Sequence, residues 1–455
     1  MEKLKKSLLY TYGIGDMFFV LMVCMEMYYF TAFLTDYAQF PMKTVSAIQL
    51  FTGVFDIGCA LLAGIMLQKI NLKFGGKYRS WFLVGPLPVV LLFCLQFTRI
   101  GSEMTAIAII IFGFLASHLI WNTVTSCGGA MVGRMTKRTD ELTLLSTSRA
   151  QGMSAAVLIF SATGVPLIAF FSARAGQITG MTLTVAVYGF LMILGYLYIY
   201  KMTAGKDPYD HESSNASAQK QAKISIAEMV SLAFRNPPLM MMAVSEVFRG
   251  SCVQLVAATA FYYFRYVRGN VEFLSVFLLI TATASFTGAS LSAWIGPRLG
   301  KRRTYWLALI CAGTAYASSR FLGTTSLRFS LLIGLGAMFL AMASGMSTAL
   351  YSDTVVYGEW KTGKNIRAFT MSLQNVAIKL GVLIRVAVLM FGLIAIGYVA
   401  NSDPSAQVVS GIASLMSFSP ATVCFIAAII FFFGYKITDS EAAKMRDEIA
   451  ARSSE

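Results

Sequence analysis

Long apolar segments separated by short polar turns run through almost the whole chain of 455 residues. Each segment reaches the roughly 20 residues that an α-helix needs to cross a bilayer. The apolar residues are continuous rather than alternating, which argues against β-strands, since unpaired backbone groups cannot face hydrocarbon. We predict an all-α integral membrane protein whose twelve transmembrane helices cover residues 10–37, 43–68, 79–98, 104–133, 143–173, 178–203, 239–267, 271–297, 303–322, 328–352, 366–399 and 408–436.

A basic turn divides these helices into two similar sets. Gly76–Trp81 (GKYRSW) reappears as Gly300–Trp306 (GKRRTYW), each time between two apolar segments. Duplicated halves are typical of secondary transporters, although a short basic turn can also recur by chance. The prediction is two six-helix halves with a link and a charged cytoplasmic tail, at residues 1–203, 204–238, 239–436 and 437–455.

The second part of the link carries apolar side chains at helical spacing. They are Ile224, Ile226, Met229, Val230, Ala233 and Phe234. This stripe predicts a short amphipathic helix on the cytoplasmic face, which ends before Pro237 and Pro238 open the seventh span.

Composition places most of the chain in lipid. Apolar residues make up 56% and charged residues 13%, whereas a soluble domain carries about 25% charge. The net charge of +15 is concentrated in every second connection, which indicates cytoplasmic termini and an even number of spans rather than a nucleic-acid partner. We expect a multi-pass protein of the cell membrane.

Enzymatic chemistry has no support in the sequence. The seven cysteines lie in separate apolar segments without CxxC spacing, so they indicate neither disulfides nor metal ligands. There is no HExxH motif, no Ser-His-Asp set and no P-loop, and the chain has only two histidines. We therefore predict a transporter without a cofactor that is driven by an ion gradient.

Several motifs resemble one transporter family. They are the GKYRSWFLVGP segment at 76–86, AFYYFRY at 260–266 and, most specifically, SDTVVYGEWKTG at 352–363 followed by KLG at 379–381. Together with the six-plus-six arrangement, the chain resembles the glycoside–pentoside–hexuronide:cation symporters, the melibiose-permease-like branch of the major facilitator superfamily. The resemblance implies the major facilitator fold and sugar transport by alternating access.

The family's site residues are matched only in part. Asp56 takes the first of two acidic cation-binding positions on the second helix, and Arg149 and Lys379 match two further site positions. The remaining family positions hold Ala60, Val124, Gly128 and Val20. One carboxylate of three is a poor Na⁺ site, so we predict proton coupling through Asp56, because burial favours a protonated carboxyl. A buried structural hydrogen bond is the alternative for Asp56, and Glu26 is a second proton candidate.

Cations at membrane depth point to an anionic substrate. Arg249 and Arg385 lie within predicted spans, where ionisable residues are functional candidates by default. Together with Arg149 and Lys379, these two arginines could bind a carboxylate, sulfonate or phosphate group. Alternatively, Arg249 pairs with Glu246, Arg385 is neutralised by an acid or a carbonyl, and Arg149 belongs to a cytoplasmic gate.

In the fourth span, Trp121 and Asn122 are candidates for contact with a sugar. The alternative is that they serve helix packing. His118, one turn earlier, is either part of this site or a hydrogen-bonded core residue. We predict a cytoplasmic gate at Lys77, Arg79, Asp353, Tyr357, Glu359 and Lys361.

The leading hypothesis is a monomeric secondary active transporter of an anionic glycoside, such as a uronide, glucuronide or sulfonated sugar, with protons. The alternatives are a sodium-coupled symporter of neutral sugars and a lipid or lysolipid carrier on the same fold. The substrate and the direction of transport stay open.

Overall fold

A computed structural model describes residues 4–70, 72, 75–136, 138–207, 226–364 and 366–454. The described residues form helices joined by short turns. The helices are α1 (Lys6–Thr11), α2 (Ile14–Ala32), α3 (Met42–Lys69), α4 (Arg79–Val84), α5 (Pro86–Leu95), α6 (Glu103–Met135), α7 (Thr139–Ala175), α8 (Gln177–Met202), α9 (Ile226–Phe234), α10 (Pro237–Tyr262), α11 (Phe273–Leu299), α12 (Lys301–Leu322), α13 (Ser326–Thr362), α14 (Arg367–Ala395), α15 (Ala406–Gly434) and α16 (Asp439–Ser454).

Every predicted span coincides with helix in the described residues. Nine described helical segments are long and apolar enough to cross a membrane. The other three predicted spans correspond to α3, to the pair α4 and α5, and to α12. The third span differs from its predicted course because it is divided at Gly85, where Pro86 has no N–H to continue the helical hydrogen bonds. The all-helical architecture is confirmed, and the number of twelve spans stays a prediction.

The chain divides into two compact units. The first comprises Met1–Ser214 with Leu274–Leu278 and Val399–Asp403; the second comprises Asn215–Phe273, Leu279–Tyr398 and Pro404–Glu455. In each unit a long helix closes with a π-helical turn, Phe33–Tyr37 after α2 and Tyr263–Val267 after α10. The two units therefore share this local feature.

The link contains the predicted short helix, α9. It is followed at once by α10, whose start is capped because Asn236 Oδ1 accepts from the Leu239 N–H at 3.1 Å. Ile224 and the polar first part of the link from residue 208 lie outside the described residues.

Two helical regions extend beyond the predictions. The tenth predicted span ends at residue 352, but α13 continues to Thr362, and Gly363 stops it in the left-handed conformation (φ +68°). The tail contains α16, a helix that was not predicted from the sequence. Thr438 and Glu441 cap its start, with Glu441 Oε2 accepting from the Thr438 N–H at 2.8 Å. This hydrogen bond holds the pKa of Glu441 below its usual range.

Close backbone packing positions charged residues in the first unit. Helices α2 and α7 meet at Gly13, where a Cβ would lie 1.9 Å from the Ser148 carbonyl oxygen, and at Gly152, where a Cβ would lie 2.3 Å from the Gly13 carbonyl oxygen. Only glycine fits such an approach. The contact brings Asp16, at the start of α2, beside Arg149 on α7.

Candidate functional site

Two acidic residues of the first unit converge on one stretch of α6. Glu26 of α2 places Oε1 3.4 Å from His118 Nε2. Asp56 of α3 accepts from Asn122 Nδ2 at 3.5 Å, and the same amide group donates to the His118 carbonyl oxygen at 2.7 Å. His118 and Asn122 are one turn apart, so both proton candidates and Asn122 belong to one cluster. From the sequence alone these residues were separate candidates.

Trp121 lies against the histidine of this cluster. Its ring stacks on His118 at a centroid distance of 4.4 Å and meets the edge of Phe19 at 4.6 Å. The other face of His118 stacks on Phe114 at 3.7 Å. Trp121 remains half-buried. Packing therefore accounts for part of the ring, and its role in stacking on a sugar stays a prediction.

Arg149 forms a bidentate ion pair that was not predicted from the sequence. Its Nε and Nη2 donate to the two carboxylate oxygens of Asp16 at 2.7 and 2.9 Å. The guanidinium lies across Gly128 and Gly129, where an added Cβ would approach it to 3.4 Å. Tyr12 donates its hydroxyl to the Gly128 carbonyl oxygen at 2.8 Å. Asp16 thus holds Arg149 in a fixed orientation.

Arg249 is engaged by a neighbour on its own helix. Its Nε and Nη2 donate to Glu246 at 2.7 and 2.8 Å, and the Tyr305 hydroxyl donates to Glu246 Oε1 at 2.8 Å. All three residues are buried. The pairing favours the structural role weighed for Arg249, because a substrate would have to compete with a bidentate buried carboxylate.

Helix α14 carries the other two proposed cations. It packs on α10 at Gly381, where a Cβ would lie 2.8 Å from the Ser251 backbone nitrogen. Arg385 is one turn further along the same face and is buried. Lys379 lies on another side of the helix and is half-buried. The sequence of α14 contains no aspartate or glutamate, so the helix is strongly cationic.

An acid holds the first basic turn in place. Asp207 follows α8 and accepts from the backbone N–H groups of Tyr78 and Arg79 at 2.7 and 2.9 Å. The Arg79 guanidinium covers the Tyr200 ring at 3.7 Å and donates to the Tyr200 carbonyl oxygen. Lys77, the other predicted gate residue of this turn, lies 5.8 Å above the Tyr78 ring.

The second basic turn is held in a similar way. Asp439, which follows α15, accepts from the Lys301 N–H at 3.2 Å. The Lys301 ammonium group in turn pairs with Asp353 of α13, and Arg446 of α16 donates to the same carboxylate at 2.7 Å. In each unit, therefore, an aspartate that follows a long helix accepts hydrogen bonds from backbone N–H groups of the basic turn.

The remaining predicted gate residues lie near the end of α13. Lys361 is 5.6 Å above the Tyr357 ring, which is 6.2 Å from the Trp360 ring. Glu359 is half-buried, and its carbonyl oxygen accepts from the Gly363 N–H. Trp360 donates to Glu448 at 2.6 Å and thereby ties α13 to α16. A gating role for these residues stays a prediction.

The two acids allow a matched test. Replacing Asp207 by asparagine should lower the free energy of unfolding by about 1.5–3 kcal/mol, the range for hydrogen bonds to a charged group. Asp439→Asn is the control and should have a smaller effect, because the Asp439 side chain is 48% exposed and that of Asp207 is fully buried. Thermal unfolding of the purified variants in detergent measures both. Equal losses would mean that burial does not set the strength of this contact.

The sequence matches the family described as MFS/sugar transport protein over residues 11–439. A proposed sulfoquinovose importer of Escherichia coli is 26% identical over 446 residues, which cover 97% of this chain and 93% of that protein. The glucuronide carrier protein homolog of the same organism is 24% identical over 456 residues, with coverages of 97% and 94%. The solved nucleoside transporter NupG superposes with a TM-score of 0.64 at 11% identity and covers 93% of this chain and 98% of its own. This last similarity bears on the fold alone.

Proposed function

The chain belongs to the MFS/sugar transport protein family, and from this premise we propose that it carries an anionic sugar across the membrane together with a proton. Membership makes it a multi-pass membrane protein, a secondary sugar transporter and not an enzyme.

The cationic helix α14 is the observation that carries the proposal of an anionic substrate. Lys379 and Arg385 lie on a helix without acidic residues, and the Arg385 side chain is buried. A guanidinium binds carboxylate and sulfonate groups through two parallel hydrogen bonds, whereas the hydroxyl groups of a neutral sugar need acceptors as well. Two relatives named for sulfoquinovose and glucuronide support the same substrate class, since both compounds are anionic at neutral pH.

Protons are the proposed coupling ion. Each candidate acid contacts a side chain that can hydrogen-bond to a carboxyl group. Glu26 contacts the imidazole of His118, and Asp56 contacts the amide of Asn122. Na⁺ prefers several oxygen ligands with formal negative charge. One proton carried with one monoanion is electroneutral, so the concentration ratio at equilibrium would depend on the pH difference and not on the membrane potential.

The proposed topology has twelve spans, arranged as two six-helix halves with both termini in the cytoplasm. Helices occupy all twelve predicted places, and the basic residues cluster in every second connection. One chain contains both halves, so we propose a functional monomer.

Uptake into proteoliposomes tests the proposal. The panel consists of labelled D-glucuronate, sulfoquinovose and methyl glucoside, each under an imposed proton or sodium gradient and with the membrane potential clamped at two values. Uptake of the two anions that follows the proton gradient and ignores the potential is expected. Sodium-driven uptake of methyl glucoside would overturn the proposal in favour of a neutral sugar symporter. Transport of a lysolipid and of no sugar would identify a lipid carrier.

Asp56→Asn should lose proton-driven accumulation of the anionic sugar, because an amide does not bind and release a proton. A gradient of about one pH unit supports about tenfold accumulation at one proton per sugar, and the variant should stay near equal concentrations inside and outside. The measurement is the plateau of labelled glucuronate. Gln49→Leu is a matched control on the same helix, and accumulation should persist in it. A normal plateau in Asp56→Asn would remove Asp56 from the coupling.

A further inference from the structure

We propose that Glu26 and His118 together hold one exchangeable proton, located between Glu26 Oε1 and His118 Nε2. This inference rests on the proposed function for what the proton does during transport. The presence of the proton follows from the hydrogen-bonding chemistry of the two side chains and can be tested without any substrate.

The tautomer of His118 is fixed by its own helix. Nδ1 lies 2.9 Å from the Phe114 carbonyl oxygen, which can only accept a hydrogen bond. Nδ1 must therefore carry a proton, and the state of the ring is decided at Nε2.

Nε2 faces Glu26 Oε1 at 3.4 Å. Without a proton between them, a nitrogen lone pair would face a carboxylate oxygen inside the protein, and the two would repel each other. One proton removes the repulsion in either of two forms, an imidazolium with a carboxylate or a neutral imidazole with a carboxylic acid. Both forms contain the same number of protons.

The second carboxyl oxygen of Glu26 selects between these forms. Oε2 is buried and has no hydrogen-bond partner among the described residues. An ionised oxygen is expensive to bury in this way, and the oxygen of a neutral carboxyl group is much less so. In this conformation the proton therefore resides on Glu26, which donates to His118 Nε2.

The two side chains of the pair differ in their exposure. The His118 side chain is 2% exposed, between the rings of Phe114 and Trp121, whereas that of Glu26 is 19% exposed. Of the two side chains, that of Glu26 is therefore the more accessible one.

Two titratable side chains of α3 lie near the pair. Asp56 reaches it through the amide of Asn122, and Cys59 donates to the Leu115 carbonyl oxygen at 3.6 Å. From α5, Phe93 contributes only an aromatic ring, stacked 6.4 Å from that of Trp121. Asp56 is thus the charged neighbour whose state influences the pair.

Loss of the proton would change how α2 and α6 interact. Glu26 becomes a carboxylate as the proton leaves, and its Oε1 then faces the Nε2 lone pair. The hydrogen bond that links the two helices becomes a repulsion until one side chain rotates. Trp121 stacks on His118, so a sugar that contacts the Trp121 ring would act on the same histidine. This arrangement links sugar binding to the proton through one packed ring.

Nitrogen NMR of ¹⁵N-histidine-labelled protein in liposomes tests the proton directly. The chain has two histidines, so a His211→Asn background leaves His118 as the only source of signal. The Nε2 resonance of this background is expected to shift as the pH is raised and the pair loses its proton. With Glu26→Gln added the shift should disappear over the same pH range, because the amide still donates to Nε2 but cannot deprotonate. Gln49→Leu is the matched control and should keep the titration at His118, because Gln49 contacts Thr31 and not the pair.

An identical titration with and without Glu26→Gln, or no titration in either, would overturn the inference. Transport supplies the second measurement. Glu26→Gln should exchange labelled for unlabelled glucuronate, though more slowly, and should fail to accumulate it under a proton gradient. Accumulation equal to that of the unsubstituted protein would also overturn the inference. If the unsubstituted protein does not transport glucuronate at all, the proposed substrate fails, and the NMR titration still decides whether the pair holds a proton.

Discussion

Replacing Glu246 by glutamine is expected to destabilise the second unit by about 3–5 kcal/mol, the usual loss when one partner of a buried ion pair is removed. Glu246 is 1% exposed and accepts three hydrogen bonds, two from Arg249 and one from Tyr305. The substitution leaves the Arg249 guanidinium buried without its counter-charge. Neutralisation by deprotonation is not available to arginine, so the whole penalty falls on the folded state.

Thermal unfolding of the purified protein in detergent measures this loss as a lower Tm. The double substitution Glu246→Leu with Arg249→Met should recover most of it, because it removes both charges and keeps apolar volume. Asp16→Asn is the comparison in the first unit and should cost less, since the Asp16 and Arg149 side chains are 10% and 21% exposed. A Tm unchanged in Glu246→Gln would show that Arg249 has another carboxylate or a substrate as its partner.

The helices were predictable because lipid imposes a single, strong requirement on the sequence. Most predicted spans begin and end within a few residues of the observed helices, as 43–68 does for Met42–Lys69. The family was also predictable, since ordered motifs along the whole chain carry more information than composition does. The match over residues 11–439 confirms it.

The helical segments that were not predicted are polar or charged, so the requirement that lipid imposes on a span does not mark them. The tail helix α16 is polar and lies outside the spans, and its capping residues Thr438 and Glu441, spaced three apart, were the available indication. The extension of α13 carries charged residues, so apolarity ended the prediction too early. The division at Gly85 was indicated by Pro86, although a proline within a span does not always end a helix.

Contacts between distant helices were the hardest part of the candidate site to predict. Arg149 was a candidate from the sequence, but periodicity along one helix does not reveal a partner on another, in this case Asp16. The same limit applies to Glu26 with His118. Glu246 and Arg249 are three apart on one helix, a spacing at which side chains meet, so this pair was considered from the sequence.

Arg385→Gln is expected to reduce uptake of D-glucuronate by about 30-fold or more, which corresponds to the roughly 2–5 kcal/mol lost when one member of a buried hydrogen-bonded charge pair is truncated. The residue is buried on the face of α14 that packs on α10, in a helix without acidic residues. Glutamine keeps hydrogen-bond donors but has no positive charge. Arg385→Lys should recover part of the activity, since lysine keeps the charge and loses the planar fork.

The decisive measurement is the ratio of glucuronate uptake by the variant to that by the unsubstituted protein, taken together with the Tm, because a merely structural role would lower both. A guanidinium that binds the carboxylate should give a large fall in this ratio with little change in Tm. Lys379→Gln on the same helix is the matched control, and its smaller change would separate the two cations, since Lys379 lies on a different and more exposed side of α14. A fall in Tm alongside the fall in the ratio would instead assign Arg385 to helix packing and move recognition of the anion to other residues.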